Sequence, residues 1–402
     1  MSVKPADRAS CVLTLNGGSS SIRFAVYESG QPLRRRLAGK IDRIGASGTT
    51  LSVTQSPEHA APRPRRVVAV DHRDAADVLL RWLEAQPIFA SVRAAGHRVV
   101  HGMRRSEPAL VTSKLLADLR RNAPYDPEHL PVEIGLMDAL RTRYPGLRQV
   151  ACFDTAFHQS MPKVARLLPI PRRYAARRVE RYGFHGISYS YLIEELRRLD
   201  PTAARGRVIL AHLGSGASLC AARDGKSLET SMGFTPASGL VMGTRTGDLD
   251  PGVGYYLART AGISPARFQQ MVNHQSGLLG VSGVSADLRD LLARQRDDPR
   301  AAEAVELFCY HVTKWIGSFA AVLGGLDTLV FSAGIGENAP MIRRQICTGL
   351  GFLGIALDRS RNARNAPVIS PRGGRVSVRV IPTDEEQMIA RLVIRVLGMS
   401  PA

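Results

Sequence analysis

The sequence predicts an α/β fold built twice, and three observations carry the prediction. A short apolar run, Cys11 to Leu15, passes through the small-residue turn Asn16-Gly17-Gly18-Ser19-Ser20-Ser21 into a returning run, Ile22 to Tyr27. Ser29-Gly30-Gln31-Pro32 then turns into a third segment, Leu33 to Ile41. The same order recurs from Val208 to Leu213, through Gly214-Ser215-Gly216 to Ala217–Ala222, and through Asp224-Gly225 to Ser227–Met232. Short apolar runs bounded by turn residues read as strands, and Asp-Gly between two of them is a strong hairpin signal. One Gly/Ser turn alone reads best as a structural hairpin. Two in the same strand context mark a weak internal repeat, hence two similar domains. Glycines let backbone N–H groups approach an anion closely, so each hairpin is expected to face a phosphate, with a polyphosphate cleft between the two. The third observation is length: 402 residues favour two domains over one.

Composition narrows the class. Apolar content of 44% and charged content of 22% are ordinary for a soluble globular protein. The start, MSVKPADRAS, has no apolar signal region, and no run nears the ~18 apolar residues of a membrane span. The five cysteines (Cys11, Cys152, Cys220, Cys309, Cys347) are scattered and form no CxxC pair. They are expected to be buried free thiols of a cytoplasmic protein, without disulfides or a thiolate metal site. A net charge of +19 raises nucleic-acid binding. The basic residues are mostly Arg and spread along the chain, only 6% of residues are aromatic, and no recognition motif stands out. Neither a nucleic acid nor a membrane is expected as a partner.

In chain order, Ala46 to Arg66 is polar and broken by Pro, a strand with an exposed loop. Asp74 to Gln86 has helical spacing. Ala94 to Gly102 is a strand ending in His97, Arg98 and His101, charged groups that a buried strand carries when they face something charged, or when the strand is a capped edge. Pro131 to Arg143 reads as a helix and Gln149 to Phe153 as a strand. Asp154 follows it, where ligand chemistry sits in α/β sheets. His185 lies in the loop Arg181-Tyr182-Gly183-Phe184-His185-Gly186, whose glycines favour access over packing. Gly239 to Gly252 gathers Arg245, Asp248 and Asp250 in a glycine-rich loop too polar for a core. Ser285 to Arg289 opens a helix. Val305, Phe308, Val312, Trp315, Ile316, Phe319 and Val322 mark a long amphipathic helix leading into the strand Thr328–Phe331. Ser332 to Asn338 is expected as a small-residue loop suited to a nucleotide, Val378 to Ile381 as a strand, and Gln387 to Leu397 as a last helix that returns to the first domain. No GxSxG, HExxH or zinc spacing occurs.

These segments together resemble the acetate kinase family, within the superfamily of sugar kinases, actin and heat-shock chaperone ATPases. The resemblance rests on NGGSSSIRF, GHRVVHG, FDTAFHQSMP, RYGFHG, HLGSGAS, DGKSLETSMGFTPASGLVMGTRTGDLDPG, SGVSADLRD, FSAGIGEN and IPTDEE, nine segments in order over nearly the whole chain. It implies two duplicated ribonuclease-H-like α/β domains around a nucleotide cleft, at 10–154 (joined by the C-terminal helix 387–402) and 155–386. It implies a homodimer that makes acyl phosphate and ADP reversibly from ATP and acetate, or another short-chain carboxylate, with Mg2+. By position it places Asn16 and Glu385 near the metal, and Ser19, Ser21 and Arg23 in the first phosphate hairpin. His212, Gly214, Ser215 and Gly216 fall in the second hairpin. Asp287, Leu288, Arg289, Gly334, Ile335, Gly336, Glu337 and Asn338 fall at the nucleoside. Asp154 would be catalytic, Arg98 and Arg245 would bind the carboxylate and the transferring phosphoryl group, and His185 would lie at that phosphate. Val100, Phe184 and Pro236 match the small apolar pocket for the acyl chain.

The chemistry agrees. A carboxylate is ionised at neutral pH and needs no general base; it needs cations, because it and the phosphate repel each other. Arginine forks suit that better than lysines. The chain departs from the family at four positions: Arg23 stands for a Lys, Ser215 for an Asn, Met103 for a Gly and Tyr125 for a His, the last in a segment one residue shorter. Two other readings stand beside acetate kinase on the same residues: a propionate or butyrate kinase, and a catalytically weakened nucleotide-sensing protein.

Overall fold

Each hairpin pattern becomes the spine of a sheet. The structure is a computed structural model and describes residues 10–18, 20–45, 48–54 and 64–399. The chain divides into two units, Met1–Ala156 with Asp384–Ala402, and Phe157–Thr383.

In the first unit β1 (Cys11–Gly17) is buried along its whole length. It pairs antiparallel with β2 (Ser21–Glu28), which pairs with β3 (Arg34–Asp42). β4 (Thr50–Thr54) and β5 (Arg65–Arg66) extend that edge. On the other side β1 runs parallel to β6 (Val92–Val99), and β6 parallel to β8 (Arg148–Phe153). β7 (Ala109–Leu110) closes the order β5-β4-β3-β2-β1-β6-β8-β7. Leu13, Leu15, Phe24 and Val26 on one sheet face pack with Leu79, Leu80 and Leu83 of the His72–Glu84 helix and with Leu136 and Leu140 of the Leu130–Arg143 helix. The closing helix, Glu385–Leu397, is capped by the Asp384 carboxylate, which accepts from Gln387 N at 2.7 Å. It lies so close to β6 that a Cβ on Gly96 would sit 2.5 Å from the Ile389 side chain. Because Asp384 belongs to this cap and also accepts from the Tyr27 hydroxyl, the chain returns at residue 384. Asp384, Glu385 and Glu386 therefore group with the first unit.

In the second unit β9 (Arg207–Leu213), β10 (Ala217–Arg223) and β11 (Lys226–Thr230) form the antiparallel part of a sheet. The turn at Asp224-Gly225 has both residues at positive φ, 52° and 72°, the twist a two-residue hairpin needs. β12 (Thr328–Ser332) lies parallel to β9, and β13 (Ser377–Val380) parallel to β12. The order β11-β10-β9-β12-β13 repeats β3-β2-β1-β6-β8 with the same strand directions. The repeat read from two turns is thus a repeat of topology. The 25-residue helix Pro299–Leu323 buries Val305, Phe308, Val312, Ile316 and Phe319; Val322, expected on that face, is exposed, and Leu323 is buried instead. All five cysteines are buried, and none forms a disulfide. Among the described residues no helix is long and apolar enough to cross a membrane.

Candidate active site

The candidate residues fall in two clusters, one in each unit. In the first unit β1, β6 and β8 run parallel, so their C-terminal ends bring Asn16, Arg98 and Asp154 to one edge. Arg98 Nε and Nη2 both donate to Asp154 Oδ2, at 2.9 and 2.6 Å. Asp154 is fully buried, and its backbone N–H bonds to Val99 O. On the guanidinium's other edge Nη1 lies 3.6 Å from Glu133 Oε1. These carboxylates hold the Arg98 guanidinium charged against the cost of burial. Burial pushes the Glu133 carboxyl up to about 8, with Arg98 and the Val100 amide pulling it back. Val100 is itself buried, its N–H donating to both Glu133 oxygens.

Asn16 Nδ2 donates to Glu385 Oε2 at 3.1 Å. Burial and the charge of Asp154 push the Glu385 carboxyl up to about 7, with Arg98 and Arg23 acting against them. A buried carboxylate beside a second one and an amide oxygen is a hard-oxygen donor set, and a divalent cation would relieve its like-charge repulsion. Mg2+ is commonly held by one or two carboxylates, its other positions left to water and phosphate. Among the described residues no cluster of three or more His, Cys, Asp or Glu forms a closed cage. The residues present fit Mg2+.

The first hairpin turn is closed by Gly18 N donating to Ser21 O at 2.7 Å, and His72 Nε2 bonds Gly18 O at 2.9 Å. Ser19 lies outside the described residues. Arg23 is exposed on β2, paired in register with Asn16. Met103, where the family has Gly, sits at φ 54° with its side chain buried, and the His101 and Tyr125 rings lie 5.6 Å apart. That backbone conformation is one glycine adopts without strain.

In the second unit the Gly214-Ser215-Gly216 turn lies between β9 and β10. His212 on β9 stacks on His185, ring centroids 4.1 Å apart. His185 sits at φ 58° and bonds Ser218 Oγ through Nδ1 at 2.8 Å. A Cβ on Gly216 would lie 3.4 Å from His185 Nε2 and 3.7 Å from Arg245 Nη1, so this glycine opens the turn to both side chains. Arg245 Nη1 donates to Pro236 O at 3.3 Å. Its loop is not too polar to be buried: Leu240, Val241 and Met242 are all core residues. Gly277, at φ 62°, fits beneath this loop, where a Cβ would meet Met242 O at 2.1 Å. Of the two glycines expected to open access to His185, Gly186 is buried at the start of a helix. Gly183 is demanded by packing, because a Cβ there would sit 2.4 Å from Thr230 and 2.7 Å from the His158 ring. His158, buried and missed from the sequence, holds the Phe184 carbonyl through Nε2 at 3.0 Å.

Beside the second turn is a cavity of about 650 Å3. Gly214, Ser215, Asp287, Leu288, Arg289, Gly334, Ile335 and Asn338 line it, with Leu278, Ala286 and Leu292 adding apolar wall. The expected loop Ser332–Asn338 is instead a strand end followed by the short helix Ala333–Asn338, entered through Ala333 at φ 63°. The helix turns Gly336 against the Phe331 backbone and the Glu337 carboxylate toward Thr383 N, so these two do not line the cavity. The buried guanidinium of Arg343 secures the helix by donating to Gly336 O and Glu337 O at 2.7 and 2.9 Å. A groove of about 780 Å3 beside the Leu130–Arg143 helix is larger but contains none of the candidate residues.

The Acetokinase family matches residues 11–391. The chain belongs to this family. It is 43% identical to an acetate kinase of Methylocella silvestris, covering 98% of this chain and 99% of the relative. It is 42% identical to a propionate kinase of Citrobacter rodentium, over 96% of each. Among solved structures, the acetate kinase of Porphyromonas gingivalis superposes with TM-score 0.87 at 36% identity, covering 97% of this chain and all of that one. A propionate kinase from Francisella tularensis superposes at 0.90 with 35% identity, covering 96% and 99%. The fold is that of the actin-like ATPases, and the family's chemistry is phosphotransfer to a carboxyl group with ATP as co-substrate.

Proposed function

We propose that this chain phosphorylates acetate, with propionate as a second substrate, to acyl phosphate in a reversible reaction with ATP and Mg2+. The observation that carries the reading is the Arg98 guanidinium, fixed by two bonds to buried Asp154 at the ends of three parallel strands. An ionised carboxylate is drawn to such a preorganised cation, and no base is required.

In this reading Arg98 binds the substrate carboxylate, and Val100, Phe184 and Pro236 limit its carbon chain. Arg245 and His185 offer donors to the equatorial oxygens of the transferring phosphoryl group, where charge stabilisation is most of the catalysis. Asp154 keeps the Arg98 fork oriented and acts at the reacting centre. Ser19, Ser21, Arg23, His212 and the Gly214–Gly216 turn hold phosphates, and the 650 Å3 cavity takes the nucleoside. Asn16 and Glu385 hold Mg2+, which neutralises charge on the nucleotide phosphates.

The Pro251–Ala261 helix buries none of its residues and leaves Tyr255 and Tyr256 exposed. This supports assignment as a homodimer, and we place the protein in the cytoplasm.

Acyl phosphate trapped as hydroxamate, measured across acetate, propionate and butyrate, tests the reading. Acetate turning over best is expected. ATP binding without hydroxamate from any of the three would sink it in favour of a nucleotide sensor.

A further inference from the structure

The carboxyl of Glu133 is buried to 1% exposure on a helix whose other buried residues, Leu130, Ile134, Leu136, Met137 and Leu140, are apolar. A buried acid is costly unless it is well partnered, and its partners are specific. Both oxygens accept from the Val100 N–H, at 3.1 and 2.9 Å, and Oε1 lies 3.6 Å from Arg98 Nη1. Asp154 already occupies the Nε–Nη2 edge of that guanidinium. One side chain therefore braces the third nitrogen of the candidate carboxylate-binding cation and the backbone of the candidate acyl-pocket residue two positions on.

We propose that Glu133 is a positioning residue for the carboxylate substrate, fixing the rotation of the Arg98 guanidinium and the seat of Val100 together. It does not touch substrate; it acts through these two residues. The inference rests on the kinase reading above. It also predicts an asymmetry between the two substrates, because the nucleoside cavity is built from second-unit residues only, between Gly214 and Ala339.

The experiment is steady-state hydroxamate formation by the full chain and its Glu133→Met and Glu133→Gln variants, varying carboxylate and ATP separately. Met fills the volume in an apolar helix face but leaves the Val100 N–H without its acceptor, a loss of about 1–3 kcal/mol that corresponds to roughly five- to a hundredfold. Glu133→Met is expected to raise the KM for acetate about tenfold within that range, with the KM for ATP inside a factor of two. Glu133→Gln restores an oxygen to Val100 and is expected to bring the acetate KM back to within about threefold of the parent. If Glu133→Met fails to fold, Glu133→Asp, an acid one methylene short of Val100, must show the same split. Three results overturn the inference: an unchanged acetate KM in Glu133→Met or its Asp substitute, a Gln variant as poor as Met, or acetate and ATP KM rising together. A parent that makes no hydroxamate overturns the kinase reading and this inference with it. An active parent with indifferent variants overturns this inference alone.

Discussion

At the scale of single residues, the roles proposed for the Arg98 fork and the Ser215 side chain are the ones a substitution tests most directly. Arg98 spends Nε and Nη2 on one Asp154 oxygen, which leaves the rest of the fork in a fixed plane. A lysine keeps the charge but not the plane. Arg98→Lys is expected to lower kcat/KM for acetate by at least about tenfold, measured by hydroxamate; parental kinetics would remove Arg98 from the clamp. Ser215 lines the 650 Å3 cavity proposed for the nucleoside, and its carbonyl is pinned by Gly243 N at 3.1 Å. The backbone is thus fixed, and only side-chain reach separates Ser from the family's Asn. A hydrogen bond to a charged group is worth about 1.5–3 kcal/mol, part of which water recovers. Ser215→Asn should lower the KM for ATP several-fold and leave that for acetate alone. An unchanged ATP KM would show that the hydroxyl, or Arg23 on the other hairpin, already meets the phosphates.

At the scale of elements, the Arg245 loop and the Ala333–Asn338 helix each depend on one residue outside them. Gly277 occupies a left-handed conformation in which a Cβ would run into the Met242 and Arg245 backbone. Gly277→Ala must push that loop away, so a lower melting temperature is expected together with loss of acyl phosphate formation. A variant with parental turnover would mean that the loop position is not needed. Arg343 uses its five N–H groups on Gly336 O, Glu337 O, Asn362 Oδ1 and O, and Asn365 Oδ1, none of them a carboxylate. A lysine has three donors and no plane. Arg343→Lys is therefore expected to weaken ATP binding about as much as Arg343→Met, read by nucleotide titration; full rescue by Lys would reduce the role of Arg343 to charge.

At the scale of the whole molecule, buried titratable groups make stability depend on pH. Burial raises Glu133 to about 8 and Glu385 to about 7 from an ordinary 4.5. A raised carboxyl binds its proton more tightly when folded, so its contribution is complete at low pH and is lost as pH climbs through the folded value. Burial lowers His97 and His101 to about 4, which acts in the opposite sense, but that gain is complete by about pH 6.5. Urea midpoints should accordingly fall from pH 6.5 to 9 in the parent. Glu133→Gln should fall less, retaining the share of Glu385. An equally steep fall in that variant would place the titration elsewhere.

Much of this protein is legible in the order of its residues because hairpins and strand ends are local. Asp224-Gly225 forms its turn with both residues at positive φ, Asp154 stands at a strand end, and two small-residue turns announced a repeat that five strands of the first sheet share with the second. The acetokinase segments placed Arg98, Arg245 and His185 by position. Local pattern failed where the deciding partner is far along the chain. Ser332–Asn338 looks like a loop until Arg343 secures its carbonyls, and Gly183 looks open until the His158 ring is placed beside it. Val322 fits a helical stripe, yet in the last turn the buried positions are Ala320 and Leu323, and Val322 faces solvent. Glu133 had a signal in its spacing, three after Leu130 and four before Met137 on the buried face, but periodicity cannot say what a buried acid meets. Asn16 and Glu385 touch across 369 positions of sequence, and only the closing helix, returning to lie on β1 and β6, puts them there. Turn chemistry and hydrophobic period belong to neighbours in the chain, so the sequence determined the elements, their order and the duplicated sheet. Hydrogen bonds and charge compensation belong to neighbours in space, so the tertiary structure alone decided which side chains hold the site in shape.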